Sequence, residues 1–205
     1  MEKFIKNEQW TRIIKEIAKN EFLDQKIIKI LLSVDRKFFI PKYFSHLAYT
    51  RSGIPIKKSR WLSSPNSVAK ILKYIELNTN HSLLVVGCGT GYQSVLASKL
   101  CKKVQAIDTD SELIYKAKEI IKLLDINNID FKCLDEKSIK SLDEQYDRIF
   151  VLSTMDISST NLLDSLSNNG ILLAPIIEEK KQIMTRYSKN DNFISQEALY
   201  YSNFN

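Results

Sequence analysis

The sequence is organised around one stretch, Leu83-Leu84-Val85-Val86-Gly87-Cys88-Gly89-Thr90-Gly91-Tyr92. Its four leading apolar residues predict a buried strand, and the residues from 92 to 100 predict a helix. Three of the chain's five glycines lie in the turn between them, at Gly87, Gly89 and Gly91. Glycine adopts positive φ and lets another molecule touch the backbone. A strand, a glycine turn and a helix N-terminus together predict a nucleotide-binding loop.

An acidic residue follows this loop at the distance expected for a ribose ligand. The next predicted strand, 104–107, ends at Asp108, and 108 − 87 = 21. The dinucleotide fingerprint is excluded because it requires glycine where Tyr92 stands, and no Gly-Lys-Ser/Thr of a P-loop follows. The pattern resembles the cofactor site of S-adenosylmethionine-dependent methyltransferases. The simpler interpretation is a tight structural turn with an unrelated acid downstream.

Composition indicates a cytoplasmic, reduced protein. The 205 residues are 44% hydrophobic and 26% charged, and no apolar run approaches the ~18 residues that span a membrane. The first 20 residues are too charged for a signal peptide. The three cysteines have no metal spacing and there are only two histidines, so no metal site is expected. The net charge of +6 comes from dispersed residues, which favours a solvated surface over nucleic-acid binding.

The alternation of strands and helices predicts an α/β fold. The expectation is a doubly wound, mostly parallel, Rossmann-like sheet with helices on both faces and an N-terminal helical extension. Residues 1–64 are interpreted as this extension with an acceptor loop, and residues 65–205 as one compact cofactor-binding domain. The predicted helices are 10–18, 23–34, 65–75, 92–100, 110–124 and 158–166. The predicted strands are 83–86, 104–107, 129–134, 148–152, 171–174, 182–187 and 195–200.

Several polar residues lie where such a sheet binds ligands, at the carboxyl ends of its strands. Asp108 is positioned to hold a ribose, and Asp135 to accept from an adenine amino group or to be a solvated turn residue. Asp147 is interpreted as a structural acid at the start of a strand. Upstream, Pro65 starts a helix that either Ser63 or Ser64 can cap, within a loop-like stretch from 49 to 63.

Motifs of hydrolytic and nucleic-acid-modifying enzymes are missing. There is no Gly-x-Ser-x-Gly elbow, and Ser153-Thr154-Met155-Asp156 replaces the Asn/Asp-Pro-Pro-Tyr or Pro-Cys segments of amino- and cytosine-methylating enzymes. This absence suits methyl transfer, because the donor is already activated and the protein must mainly align the acceptor.

Almost the whole chain resembles the protein-L-isoaspartate O-methyltransferase family. Arg36-Lys37-Phe38-Phe39-Ile40-Pro41 is similar to that family's Arg-x-x-Phe-Val-Pro, and Gly87-Cys88-Gly89-Thr90-Gly91-Tyr92-Gln93 to its Gly-Thr-Gly-Ser-Gly-Tyr-Gln. The segment 49–65 is similar to its Tyr-x-Asp-x-x-Leu-Pro-Ile and Gly-Gln-Thr-Ile-Ser-x-Pro. The departures from these patterns are Arg51, Arg60, Trp61 and the replacement of Gly-Asp-Gly by Leu134-Asp135-Glu136.

The resemblance implies a reaction and a set of site residues. The methyl group of S-adenosylmethionine passes to the side-chain-derived carboxylate of an L-isoaspartyl residue, and the ester closes to a succinimide that can reopen as aspartate. Ser63 is then the active-site residue. The implied cofactor-binding residues are Gly87, Cys88, Gly89, Gly91, Asp108 and Asp135.

Three interpretations of function stay open from the sequence. The first is protein repair by isoaspartyl methylation, acting as a monomer on damaged proteins, without membrane or nucleic-acid partners. The second is a methyltransferase of the same scaffold that acts on a small molecule or RNA. The third is a non-catalytic cofactor-binding or interaction module.

Overall fold

The computed structural model describes residues 7–153, 155–179, 181–191 and 193–201. Residues 1–6 of the predicted N-terminal extension and residues 202–205 of the predicted cofactor-binding domain lie outside the described residues. Thr154, in the segment after the fourth predicted strand, also lies outside them. The α-helices are α1 (Glu8–Glu21), α2 (Gln25–Ser33), α3 (Pro65–Tyr74), α4 (Tyr92–Ser98), α5 (Ser111–Leu123) and α6 (Glu136–Lys140). Short 3₁₀ helices span Arg36–Phe39, Lys42–Leu47 and Ile157–Ser159.

The strands are β1 (Ile54–Lys57), β2 (Arg60–Leu62), β3 (Ser82–Val86), β4 (Lys103–Asp108), β5 (Ile129–Cys133), β6 (Tyr146–Val151), β7 (Leu166–Glu178), β8 (Lys181–Asn190) and β9 (Phe193–Tyr201). Seven of them form one sheet in the order β5-β4-β3-β6-β7-β8-β9. The first five are parallel to one another, whereas β8 pairs antiparallel with both β7 and β9. The predicted α/β fold with a mostly parallel sheet is confirmed. The carboxyl ends of β3, β4 and β6 meet at one edge, where the glycine loop lies.

Alternate strand residues face two separate cores. On β3, Leu83 and Val85 pack into a large cluster with side chains of helices α1 to α5, while Leu84 and Val86 pack into a smaller cluster on the opposite face. Because side chains alternate along a strand, a fully apolar strand is buried on both faces. The run from Leu83 to Val86 therefore suits β3 to an interior position of the sheet, between β4 and β6.

The N-terminal helices share the larger core with the sheet. Trp10 of α1 is completely buried, and its indole nitrogen donates to the carbonyl of Leu31 on α2 at 3.2 Å. Asn7 and Asp24 cap these two helices by accepting from backbone N–H groups of their first turns. The helical part of the predicted extension thus packs directly on the cofactor-binding part.

Two local predictions are wrong. The helix expected over 158–166 is only the 3₁₀ helix Ile157–Ser159, followed by turns that lead into β7. Asp156 caps this turn by accepting from the N–H of Ser158, but the Thr160 hydroxyl donates to the Ile157 carbonyl at 2.8 Å and so takes a backbone acceptor that a continuing helix would need. The stretch expected as a loop over 49–63 contains the antiparallel hairpin β1–β2.

None of the helices within the described ranges has the length and apolar character needed to cross a membrane.

Candidate active site

The glycine loop joins β3 to α4, and its backbone requires glycine at positions 87 and 89. Gly87 has φ +77° and Gly89 has φ +57°, a region that L side chains rarely adopt. A Cβ on Gly87 would lie 3.0 Å from Ser153 Oγ, and a Cβ on Gly89 would lie 3.1 Å from Ile56 Cδ1. The N–H groups of Gly87 and Cys88 both donate to the Ile107 carbonyl, at 2.8 and 3.1 Å, which binds the loop to the end of β4.

Gly91 has a different role from the other two glycines. It begins α4 with φ +88°, and a Cβ there would lie 2.6 Å from the Phe131 ring and 3.3 Å from the Ala117 side chain. The glycine therefore lets α4 lie close to β5 and α5.

Asp108 lies at the end of β4 with 1% of its surface exposed. Its Oδ1 accepts from Arg60 Nη1 at 3.0 Å and from the Asp110 N–H at 3.1 Å. Its Oδ2 accepts from Arg60 Nη2 at 2.5 Å and from the Gly89 N–H at 2.7 Å. The predicted ribose acid is thus joined to the glycine loop on one side and to β2 on the other.

Ionisation in this region favours charge on Arg60 and none on Cys88. Burial lowers the pKa of the Arg60 guanidinium, but the hydrogen bonds and the attraction to Asp108 outweigh it, and the pKa is raised overall. Burial, with the nearby Asp108 charge, raises the pKa of the Cys88 thiol well above its ordinary value. Cys88 is therefore a neutral thiol at physiological pH and is unsuited to act as a nucleophile.

Two adjacent serines precede α3 and make different bonds. Ser64 is the N-cap, since its Oγ accepts from the Ser67 N–H at 3.2 Å. Ser63 Oγ instead accepts from Gln93 Nε2 at 2.9 Å. Because the serine hydroxyl accepts here, its own proton is free for another acceptor.

A buried arginine positions the segment that carries Ser63. Arg36 is fully buried, and burial lowers the pKa of its guanidinium. Its guanidinium lies 5.5 and 5.8 Å from the ring centroids of Trp10 and Tyr92. It donates to the carbonyls of Ala48, Thr50, Ser52 and Ser63, at 3.2, 3.3, 3.5 and 2.9 Å. One side chain thus ties residues 48–63 to the N-terminal helices.

A cavity of about 530 Å³ separates the glycine loop from the segment 52–64. Of the predicted site residues, Ser63 lines it together with Gly87, Cys88 and Gly89. Arg60 and Trp61 of β2 line the same space. Trp61 has 45% of its surface exposed.

Three predicted cofactor residues do not line this cavity: Gly91, Asp108 and Asp135. Asp135 is exposed, and its carboxylate caps α6 by accepting from the Ser138 N–H at 2.7 Å. Asp147 accepts from the N–H and hydroxyl of Ser82, at 2.7 and 2.8 Å, as expected of a structural acid at a strand start.

Several cavity residues were not assigned a role from the sequence. Gln93 belongs to the Gly-Tyr-Gln motif quoted above, and that motif was the sequence signal that could have identified it as a site residue. Arg60 was recognised from the sequence as a departure from a family pattern, with the expectation that it could attract an acidic peptide. Tyr200 and Tyr201 line the cavity from the end of β9, and no sequence signal connects that strand to the glycine loop. Within the described ranges, no three His, Cys, Asp or Glu side chains are grouped so that they could hold a metal ion.

Comparison with protein families gives a match over nearly the whole chain. The family model described as protein-L-isoaspartate(D-aspartate) O-methyltransferase matches residues 7–204. A protein-L-isoaspartate O-methyltransferase of Helicobacter pylori (strain G27) is 33% identical over 177 residues, covering 86% of this chain and 85% of the relative. The enzyme of the same name from Dictyoglomus turgidum is 33% identical over 180 residues, covering 87% and 82%.

Solved structures share the fold. A structure named protein-L-isoaspartate O-methyltransferase superposes with a TM-score of 0.81 at 20% identity, covering 95% of this chain and 64% of that one. A Plasmodium falciparum structure described as a protein of the same family, in complex with S-adenosyl-L-homocysteine, has a TM-score of 0.81 at 22% identity and covers 97% of both chains.

Proposed function

The chain belongs to the protein-L-isoaspartate(D-aspartate) O-methyltransferase family, and we propose that the cavity between the glycine loop and Ser63 is where it carries out that family's reaction. The protein is an S-adenosylmethionine-dependent methyltransferase (EC 2.1.1.77), and its substrates are proteins that contain isoaspartyl residues. The roles of individual residues, a monomeric state and a cytoplasmic location are proposals.

The residues of the glycine loop fit the cofactor. Gly87 and Gly89 leave backbone at the cavity wall where any larger residue would meet Ser153 or Ile56. Asp108 is a buried carboxylate at the end of the adjacent strand, where a ribose is bound in sheets of this kind. When bound, S-adenosylmethionine supplies a methyl group already activated by its sulfonium. Gly87, Cys88, Gly89 and Asp108 would hold the cofactor on this side of the cavity.

The hydroxyl of Ser63 is suited to hold the acceptor. Gln93 donates to Ser63 Oγ at 2.9 Å, so the hydroxyl directs its single proton elsewhere. A carboxylate is an acceptor-only group and pairs with such a donor. This hydrogen bond is the observation that supports the assignment. Ser64 already caps α3, so the Ser63 hydroxyl is not needed as a cap and is available to the acceptor.

The reaction needs no strong base at this site. An isoaspartyl carboxylate is ionised near neutral pH, so its oxygen can attack without losing a proton. What the protein must supply is alignment of the two reactants. Arg36 contributes indirectly, since it fixes the Ser63 carbonyl at 2.9 Å and thereby the position of the side chain.

A matched pair of peptides tests the proposal. We expect methyl transfer to a synthetic isoaspartyl peptide and none to the twin that has a normal aspartyl residue, measured by incorporation of labelled methyl groups. Binding of S-adenosylhomocysteine is measured alongside by calorimetry. Cofactor binding without transfer to either peptide would favour a small-molecule or RNA acceptor. Failure to bind S-adenosylhomocysteine would favour a non-catalytic interaction module.

A further inference from the structure

We propose that Arg60 competes with the cofactor ribose for Asp108 and, once displaced, is the cation that binds the acceptor carboxylate. This inference rests on the proposed function of the cavity. It assigns one residue to both halves of the site and predicts that the cofactor binds before the acceptor.

The first step is the hydrogen-bonding capacity of Asp108. An ionised carboxylate offers about four acceptor positions. Two are filled by the backbone N–H groups of Gly89 and Asp110, at 2.7 and 3.1 Å, and these are fixed by the fold. The other two are filled by the two terminal nitrogens of Arg60, at 3.0 and 2.5 Å. Two ribose hydroxyls can bind this carboxylate only where Arg60 now binds.

The second step is the access to Asp108. The carboxylate is buried and does not line the cavity, whereas Arg60 lines the cavity and binds the carboxylate. The guanidinium therefore covers Asp108 on its cavity side. A ligand in the cavity reaches Asp108 by displacing this group.

The third step is that Arg60 can leave while its hairpin stays in place. On the neighbouring strand, Lys57 pairs with Asp110 at 2.7 Å and with Glu112 at 2.8 Å, whereas the hydrogen-bonded acid of Arg60 is Asp108. The Ile56 side chain also lies against Gly89, apart from the Arg60 guanidinium. Rotation of one long side chain is then sufficient to open the ribose position.

The fourth step concerns the charge of the acceptor. A carboxylate entering a partly buried cavity needs a cation, and Arg60 and Lys70 are the two basic side chains among the described lining residues. Lys70 is already paired with Glu21 at 3.3 Å and lies 4.5 Å from the centroid of the Tyr200 ring. Arg60, three residues from Ser63, is the cation that cofactor binding sets free.

Calorimetry with S-adenosylhomocysteine tests the competition. If the Arg60–Asp108 pair is closed in about nine molecules of ten, Arg60→Gln should tighten binding about tenfold. The glutamine is shorter and uncharged, so it cannot replace the guanidinium. In a chain that already carries Asp108→Asn, Arg60→Gln should have no such effect. Lys58→Gln, an exposed lysine at the turn of the same hairpin, is the matched control and should leave the affinity unchanged.

Steady-state kinetics tests the second role. At saturating cofactor, Arg60→Gln should raise KM for an isoaspartyl peptide about tenfold or more, because a charge-assisted hydrogen bond is lost. Arg60→Lys should restore part of this loss. Opposite effects on cofactor affinity and on peptide KM are the signature of the proposal.

A purely structural ion pair gives different results. If Arg60 only stabilises the fold, Arg60→Gln should weaken both ligands or change neither, and either result overturns the proposal while leaving the enzyme's activity established. If wild type transfers no methyl group to the peptide, the proposed function fails. The S-adenosylhomocysteine measurements then still test whether Arg60 competes with the ribose for Asp108.

Discussion

Ser63 and Ser64 are chemically identical, and their positions separate them by function. Ser64 satisfies a backbone N–H at the start of α3, as serines before helices commonly do. Ser63 accepts from a buried glutamine and lines the cavity. Substituting each in turn separates catalysis from stability.

Ser63→Ala should reduce kcat/KM for an isoaspartyl peptide about tenfold or more, since a hydrogen bond to an anionic acceptor is lost. The affinity for S-adenosylhomocysteine should stay within about twofold. Ser64→Ala should instead lower the free energy of unfolding by about 1 kcal/mol and affect transfer far less. Equal losses of transfer in both variants, measured with the same peptide, would contradict the assignment of Ser63.

Trp61 is the bulkiest departure from the family pattern. It is 45% exposed, and Ser63 lines the same cavity beside it. Trp61→Thr should therefore leave transfer to an isoaspartyl peptide unchanged or raise it, and Trp61→Phe serves as the control that keeps a ring. Activity found only in Trp61→Thr would mean that the chain kept the cofactor site and abandoned the family's substrate.

At the scale of elements, the acceptor segment, residues 48–63, is held by long-range contacts to the 3₁₀ helix Arg36–Phe39, whose Arg36 also packs against Trp10 of α1. Residues 48–63 contain only the short hairpin β1–β2, which cannot be stable alone. Arg36 supplies the missing constraint through backbone carbonyls along this segment, and the Thr90 hydroxyl donates to the Phe39 carbonyl at 2.7 Å. The N-terminal segment thereby sets the distance between the glycine loop and Ser63.

Arg36→Met should lower the free energy of unfolding by at least about 1–3 kcal/mol, because buried carbonyls lose their donor. Transfer to the peptide should fall further than the loss of folded protein explains, since Ser63 loses its anchor. Arg36→Lys keeps the charge with fewer hydrogen-bond donors. Its stability and its transfer rate should therefore lie between those of wild type and Arg36→Met. Urea unfolding and kcat/KM measured in parallel decide this. A variant that is destabilised but transfers normally would contradict the positioning role.

At the scale of the whole molecule, burial keeps several acidic protons on the folded chain. Burial raises the pKa of the Cys101 thiol from 9.0 to about 12 and the pKa of the Cys88 thiol well above its ordinary value. The pKa of the Tyr92 hydroxyl is raised as well, since the residue is completely buried. Between the ordinary pKa of each group and its raised pKa in the folded protein, the unfolded chain releases a proton that the folded chain retains.

Stability should therefore fall as pH rises from about 9, where the unfolded thiols ionise, toward about 12. Each such group removes about 1.4 kcal/mol per pH unit inside its window. Cys101→Ala should decline less steeply than wild type between pH 9 and about 11, although it is less stable at pH 7. Denaturant unfolding at several pH values measures both slopes. Parallel slopes would show that Cys101 does not contribute.

The sequence determined the fold and the cofactor side of the site, because the signals there are local. The apolar run before Gly87, the three glycines and the acid at the next strand end are all set by strand and turn geometry over a few residues. Alternation of strand and helix then places these ends at one edge of a sheet. The position of Asp108 beside the glycine loop follows from this pattern alone.

Only the tertiary structure decided the acceptor side and the far edge of the sheet. Arg60 meets Asp108 across 48 residues and Gln93 meets Ser63 across 30, so no local pattern encodes either contact. The same holds for the order β7-β8-β9, which brings Tyr200 and Tyr201 to the cavity. Which of two serines caps a helix, and whether an arginine covers the Asp108 carboxylate, depends on packing between distant segments. That packing is fixed only when the whole chain is folded.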